Sequence, residues 1–209
     1  MADLRAALIA TACAMQPAGL NKGTSGNVSV RAGDGFFITP TGLPYATLTA
    51  DDIPHMALDG RVEGRRKPSS EWRFHRDLYA SRPEIGAVLH AHSPFAVSLA
   101  CLRREIPPFH YMIARFGGST IRCADYAIFG SQELSTATIA AMHGRKGCLL
   151  ANHGLLVAGR DLDEALALAV ELEELCEQYW RASQLGQPVL LNDAEMAAVL
   201  EKFAGYGQQ

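Results

Sequence analysis

Short apolar runs with strand character alternate along this chain with longer stretches of helical period. That alternation narrows the fold more than any other feature. "GNVSVRAGDGFFITP" holds two alternating runs, 27–31 and 35–39, around the hairpin turn "AGDG". "HMALDGRVEG" reads as a strand pair turning at Asp59-Gly60, "GAVLHAH" as a buried strand, and "CLLANHGLLVAG" as two strands joined at Asn152-His153-Gly154. Helices are predicted over 3–16, "PSSEWRFHRDLYASRP", "SPFAVSLACL", "ELSTATIAAMHG", "DLDEALALAVELEELCEQYWRAS" and about 192–204. Pro68 and the serines after it offer N-terminal capping to the second helix, and Pro94 stands in the first turn of the third. Residues 106–130 are turn-rich and support no assignment. Strands alternating with helices predict a layered α/β domain, and hairpin-linked strands argue for a mixed or antiparallel sheet covered by helices.

The 209 residues suit one domain, 1–209, large enough for a core without disulfide or metal staples. A net charge of -3 gives no footprint for a nucleic acid, and "GRRK" at 64–67 is too short for a basic tract. No apolar stretch reaches the roughly 18 residues of a membrane span. "MADLRAALIATACAMQ" reads as an amphipathic first helix rather than a signal peptide. The five cysteines are scattered without a CxxC spacing, so each reads as a small buried hydrophobe, and a cytoplasmic location is expected.

Seven histidines are present, and two of them, His90 and His92, sit one residue apart in an apolar run. Residues i and i+2 of a strand face the same side, so the pair can share one ion. Two imidazoles are too few for a zinc site, where a catalytic ion takes three protein ligands and keeps a position for water or substrate. His153, in the turn "ANHG", is the natural third ligand, and Glu71, at the start of a nearby helix, can complete the set. An H-x-H pair taken alone serves hydrogen-bonded structure as readily as ligation. His55, His75, His110 and His143 lack such a setting and read as surface or structural.

Three further stretches have the composition of anion cradles. "GTSGNVS" (23–29) and "TPTGLP" (39–44) put small residues in turns beside strands, and "PSSEW" puts Ser69 and Ser70 at a helix N-terminus, where free N–H groups and the helix dipole favour an anion. None follows the Walker or dinucleotide pattern, so a nucleotide is not expected.

Taken together, "KGTSGNVSVR", "ITPTGLPY", "KPSSEWRFHRDLYASRPEIGAVLHAHS", "IPPFHYMIARFGG", "ANHGLLV" and the closing "AVLEKFAGYG" resemble the class II aldolase/adducin family, in order and almost end to end. The resemblance implies a single three-layer α/β/α domain with a mainly antiparallel central sheet, assembled as a homotetramer with active sites between subunits. It implies one zinc ion per subunit on His90, His92 and His153, with Glu71 as fourth ligand in the resting enzyme. A sugar-phosphate substrate would rest its phosphate on Gly26, Asn27, Thr41, Gly42, Ser69 and Ser70. Tyr111 would reach into a neighbouring subunit's site, and Phe129, Phe203 and Tyr206 would line the aldehyde side. "SPF" after His92 and "RF" at 115–116 depart from the family's pattern.

The implied reaction is reversible cleavage of a ketose 1-phosphate, of the L-fuculose 1-phosphate type, to dihydroxyacetone phosphate and an aldehyde of the L-lactaldehyde type. Cleavage leaves negative charge on the ketone-bearing fragment, which a Lewis-acidic ion steadies; Zn2+ is expected, while Mn2+ or Co2+ also accept three imidazoles. Glu71 would move a proton at carbon, and Tyr111 one at the C4 hydroxyl. Cleavage of 5-deoxyribulose 1-phosphate or 5-methylthioribulose 1-phosphate, by-products of S-adenosylmethionine use, is the neighbouring reading, since Phe116 and the altered stretch after His92 leave room for an apolar tail. An L-ribulose-5-phosphate 4-epimerase is disfavoured because it carries Asp where this chain has Glu71. A non-catalytic adducin-like binding module has no need of the complete ligand set found here.

Overall fold

The computed structural model describes residues 4–204. Eight strands form one sheet: β1 (Asn27–Ala32), β2 (Gly35–Ile38), β3 (His55–Ala57), β4 (Val62–Glu63), β5 (Ala87–Ala91), β6 (Cys123–Ala124), β7 (Gly147–Leu150) and β8 (Gly154–Gly159). Their spatial order is β4-β3-β2-β1-β5-β8-β7-β6. Every neighbouring pair is antiparallel except β6 and β7, so the sheet is mixed but mainly antiparallel. Six helices cover it: α1 (Leu4–Met15), α2 (Trp72–Ser81), α3 (Pro94–Ala100), α4 (Gln132–Ala141), α5 (Leu162–Leu185) and α6 (Asp193–Ala204).

The period-2 alternation of the central strands sorts the core into two layers. Ala87, Leu89 and Ala91 of β5, with Leu155 and Val157 of β8, pack with α1, α3 and α5. Val88 of β5, with Leu156 and Ala158 of β8, packs instead with α2 and α4. All five residues of β5 are buried, because the strand is covered on both faces. The long α5 starts where Asp161 accepts the Glu164 N–H at 2.8 Å. Its buried stripe, Ala165, Leu168, Ala169, Leu172, Leu175 and Cys176, recurs at helical spacing. Truncating a member such as Leu172 to Ala would cost about 2–5 kcal/mol.

Several expectations need correction. The helix expected from Pro68 begins only at Trp72, with Glu71 in the N-cap position and no capping side chain. Ser69 instead accepts the Trp72 N–H through its carbonyl, at 3.2 Å. The unassigned stretch 106–130 contains a 3-10 segment, Tyr111–Phe116, and the two-residue β6, tied in by reciprocal backbone bonds between Ile106 and Ile121. Cys148 and Cys176 are buried as expected, but Cys13 and Cys123 are only half-buried and Cys101 is exposed at the end of α3. Arg65 and Arg66 of "GRRK" both hold the buried Asp52 carboxylate at 2.8 Å, so the basic run closes a loop. Among the described residues, no helix is long and apolar enough to cross a membrane.

Candidate active site

The sheet register places the site. Asn27 of β1 pairs with His90 of β5, and β8 runs along the other side of β5, with His90 opposite Leu156. His92 lies just past the end of β5, and alternation turns its ring to the side of His90, with the two Nε2 atoms 2.9 Å apart. The β7–β8 hairpin turns through Asn152, which takes a left-handed φ of 53°, and delivers His153 to the same point. The three rings stand edge-on, with centroids 4.7–4.8 Å apart. Glu71 comes in from the start of α2, Oε2 lying 3.3 Å from His90 Nε2 and Oε1 3.2 Å from His153 Nε2.

These four groups fit a metal ion. One ligand atom from each lies within 4.8 Å of all the others. His90 Nδ1 donates to the Leu155 carbonyl at 2.8 Å, which fixes the tautomer and turns the Nε2 lone pair into the cluster. Glu71 Oε1 is buried without a hydrogen-bond partner, an arrangement that is costly unless a cation satisfies it. Burial opposes the charge on Glu71, but the neighbouring imidazoles of His90 and His153 overcome it and hold the carboxyl well below its usual range. Burial, and then His90 and His153, lower the pKa of His92 to about 4, which keeps the ring neutral as a ligand must be. Three imidazoles and a carboxylate suit zinc, and this geometry does not exclude manganese or cobalt.

Beside the cluster lies a cavity of about 190 Å³, lined by Gly26, Asn27, Thr41, Gly42, Ser69 and Ser70, the residues of all three cradle-like stretches. Glu71, His92, His153 and Phe129 also face it, and among the described residues its lining holds neither Lys nor Arg. Two loops are tied together here, because the Tyr45 hydroxyl donates to the Gly26 carbonyl at 2.7 Å. Gly26 has φ 84°, and a Cβ there would stand 2.4 Å from Asn21 Nδ2 and 2.7 Å from the His90 carbonyl. The Asn21 side chain in turn accepts the His92 N–H at 3.1 Å.

Not every expected residue reaches this cavity. Phe129 stands at it, two-thirds exposed. Tyr111 and Phe203 line a different groove, beneath α6, so within one chain neither meets the metal-type cluster. Tyr206 lies outside the described residues. Phe116 is fully buried against Gly147 in the α1–α3–α5 layer and makes no room for a substrate tail. The stretch after His92 is likewise turned away: the Ser93 hydroxyl donates to Glu173, and Phe95 packs on Trp180. Asn21 and the buried His75 were not singled out as site residues. His75, four residues after Glu71, falls on the same helical face, a spacing visible in the sequence.

Comparison with known proteins agrees with this architecture. The family described as "Class II Aldolase and Adducin N-terminal domain" matches residues 6–180. A 5-methylthioribulose-1-phosphate/5-deoxyribulose-1-phosphate aldolase of Rhodospirillum rubrum is 56% identical over 98% of this chain and 92% of its own. The L-fuculose phosphate aldolase of Escherichia coli K12 is 47% identical over 96% of this chain and 94% of its own. A solved L-fuculose 1-phosphate aldolase superposes with a TM-score of 0.94 at 40% identity, covering 98% of this chain and 97% of its own. The chain belongs to the class II aldolase and adducin family.

Proposed function

We propose that this chain is a metal-dependent aldolase that reversibly cleaves a ketose 1-phosphate to dihydroxyacetone phosphate and an aldehyde. The observation that carries the reading is the convergence of Glu71, His90, His92 and His153 at one end of an anion-sized cavity walled by small hydroxyl- and amide-bearing residues. A divalent ion on those four residues, best matched by zinc, would supply Lewis acidity for the charge left on the ketone-bearing fragment.

The remaining roles follow from the chain's own groups. Asn27, Thr41, Gly42, Ser69 and Ser70, with Gly26, would hold the phosphate through neutral donors and orient the sugar toward the histidines. Glu71 Oε1, free of hydrogen bonds, is placed to carry a proton to or from carbon. Tyr111, half exposed and remote from its own cluster, would exchange the proton of the C4 hydroxyl in a neighbouring subunit's site, as expected for a homotetramer. Phe129 would shield the aldehyde side.

For the sugar, 5-deoxyribulose 1-phosphate and 5-methylthioribulose 1-phosphate are the proposed substrates, supported by the 56% identity to an aldolase named for both. L-fuculose 1-phosphate is the second reading, supported by the 47% relative and the solved structure. The test is a coupled assay for dihydroxyacetone phosphate with the three ketose 1-phosphates, with and without chelator. Release from the first two at least tenfold faster than from fuculose 1-phosphate, abolished by chelator, is the expected result. The reverse preference selects the second reading, and no release from any of them by metal-loaded protein overturns both.

A further inference from the structure

Behind Glu71 runs a chain of four side chains, of which three, Tyr79, Ser29 and His75, have no place in the roles above. Tyr79 Oη lies 2.8 Å from Ser29 Oγ, which lies 2.7 Å from His75 Nδ1. His75 Nε2 lies 2.6 Å from Asn27 Oδ1, and Asn27 Nδ2 lies 3.0 Å from Glu71 Oε2. All of these residues are buried, His75 completely.

The direction of every bond follows from its ends. A carboxylate only accepts, so Asn27 must present its NH2 to Glu71; the flipped amide would set two acceptors 3.0 Å apart. Its carbonyl oxygen then faces His75, whose Nε2 must donate. A ring with no access to water stays neutral, so Nδ1 accepts from the Ser29 hydroxyl, whose oxygen accepts from Tyr79. Each donor therefore points toward Glu71. Sequence places the parts: Glu71, His75 and Tyr79 are spaced by four on the α2 side, and Asn27 and Ser29 by two on β1.

We propose that His75 is a positioning residue: held by Ser29 as the Nε2–H tautomer, it locks the Asn27 amide, ties down Glu71 Oε2 and leaves Oε1 as the working oxygen. This rests on the reading of Glu71 as the proton-moving group. Without His75, the Asn27 carbonyl loses the donor that anchors it, and the amide and the carboxylate it holds can drift out of register with the histidines.

The test compares His75→Leu, His75→Gln and Ser29→Ala at full metal loading. Nitrogen NMR of labelled imidazoles is added to report the tautomer without reference to activity. His75→Leu is expected to lower kcat about 10–100-fold, as loss of such supporting partners does, with a much smaller change in KM. His75→Gln, whose amide NH2 can stand where Nε2–H stood, is expected to recover most of that loss. The wild-type spectrum is expected to show His75 neutral and protonated on Nε2. Should His75→Leu not fold, Ser29→Ala decides, with a several-fold lower kcat and a mixed tautomer expected. The proposal is overturned by an Nδ1–H tautomer, by kcat within twofold of wild type in the loaded Leu or Ala variant, or by equal loss in the Leu and Gln variants. If wild-type protein cleaves no ketose 1-phosphate, the proposed function fails, while the tautomer still judges the relay.

Discussion

Gly154 packs against Ala91 so closely that a Cβ on Gly154 would stand 2.3 Å from the Ala91 carbonyl oxygen and 3.1 Å from the His92 ring. The close approach of the start of β8 to the end of β5 thus sets how near His153 and His92 come to each other.

Substituting Gly154→Ala should therefore spread the two strand ends and loosen metal binding, because the atom in the way is backbone and cannot rotate aside. Metal retained after dialysis against a weak chelator should fall at least tenfold, while far-ultraviolet circular dichroism stays close to wild type. Undiminished retention would show that the approach of the strands does not govern the ligand geometry.

Glu71→Gln and His92→Ala should separate binding from chemistry. The amide keeps the size of the carboxylate, and three imidazoles remain, so Glu71→Gln should retain much of its metal yet lose roughly 10²–10⁴-fold in turnover. His92→Ala leaves two imidazoles and a carboxylate that the chemistry also needs, and should lose metal and activity together. Metal analysis beside kcat on the same preparations makes the comparison, and normal turnover in Glu71→Gln would remove its acid–base role.

Tyr111 faces the groove beneath α6 rather than its own cluster. Tyr111→Phe and His92→Ala should each be nearly inactive alone, yet regain activity when unfolded together and reassembled. Random assembly would unite a sound cluster with a sound tyrosine in about a quarter of the sites. Mixed assemblies as inactive as their parents would argue that the tyrosine acts elsewhere or not at all.

The buried His75 makes stability depend on acidity in a defined window. Desolvation first, and then the electrostatic influence of His90, lower its pKa to about 3 from the 6.5 of an exposed ring. The unfolded chain therefore takes up a proton that the folded one refuses, and stability, complete above pH 6.5, is lost as the pH falls from there toward 3. Between pH 6.5 and 5, before carboxylates titrate, the unfolding free energy from denaturant titrations should decline by up to about 1.4 kcal/mol per pH unit from this residue. The decline should be shallower in His75→Gln. Equal slopes in the two proteins would mean that His75 is protonated in the fold.

The sequence disclosed the parts of this molecule better than their meeting. Turn residues and hydrophobic period marked the β1–β2 and β7–β8 hairpins and the long α5, because those elements are built from neighbours in the chain. The start of α2 was misread because Ser69 and Ser70 suit an N-cap, yet here they wall a cavity while Glu71 takes the cap position. Residues 106–130 stayed blank because their structure is made by distant contacts, such as the Ile106–Ile121 bridge, which leave no local period. Phe116 reads as a pocket residue because it is apolar and departs from the family's pattern, but in the fold it packs inward against Gly147. The ligand set was legible by residue type, but the bond from Asn27 to Glu71 depends on β1 lying beside β5, which no local pattern encodes.

Among the described residues, the cavity next to the histidines is walled without a single lysine or arginine. An anion entering it meets neutral dipoles along the walls, and the positive charge that draws it in would come from the ion held at the histidine end. Attraction to this site should thus rise and fall with metal loading, while the choice among anions is made after contact, through shape and hydrogen-bond fit.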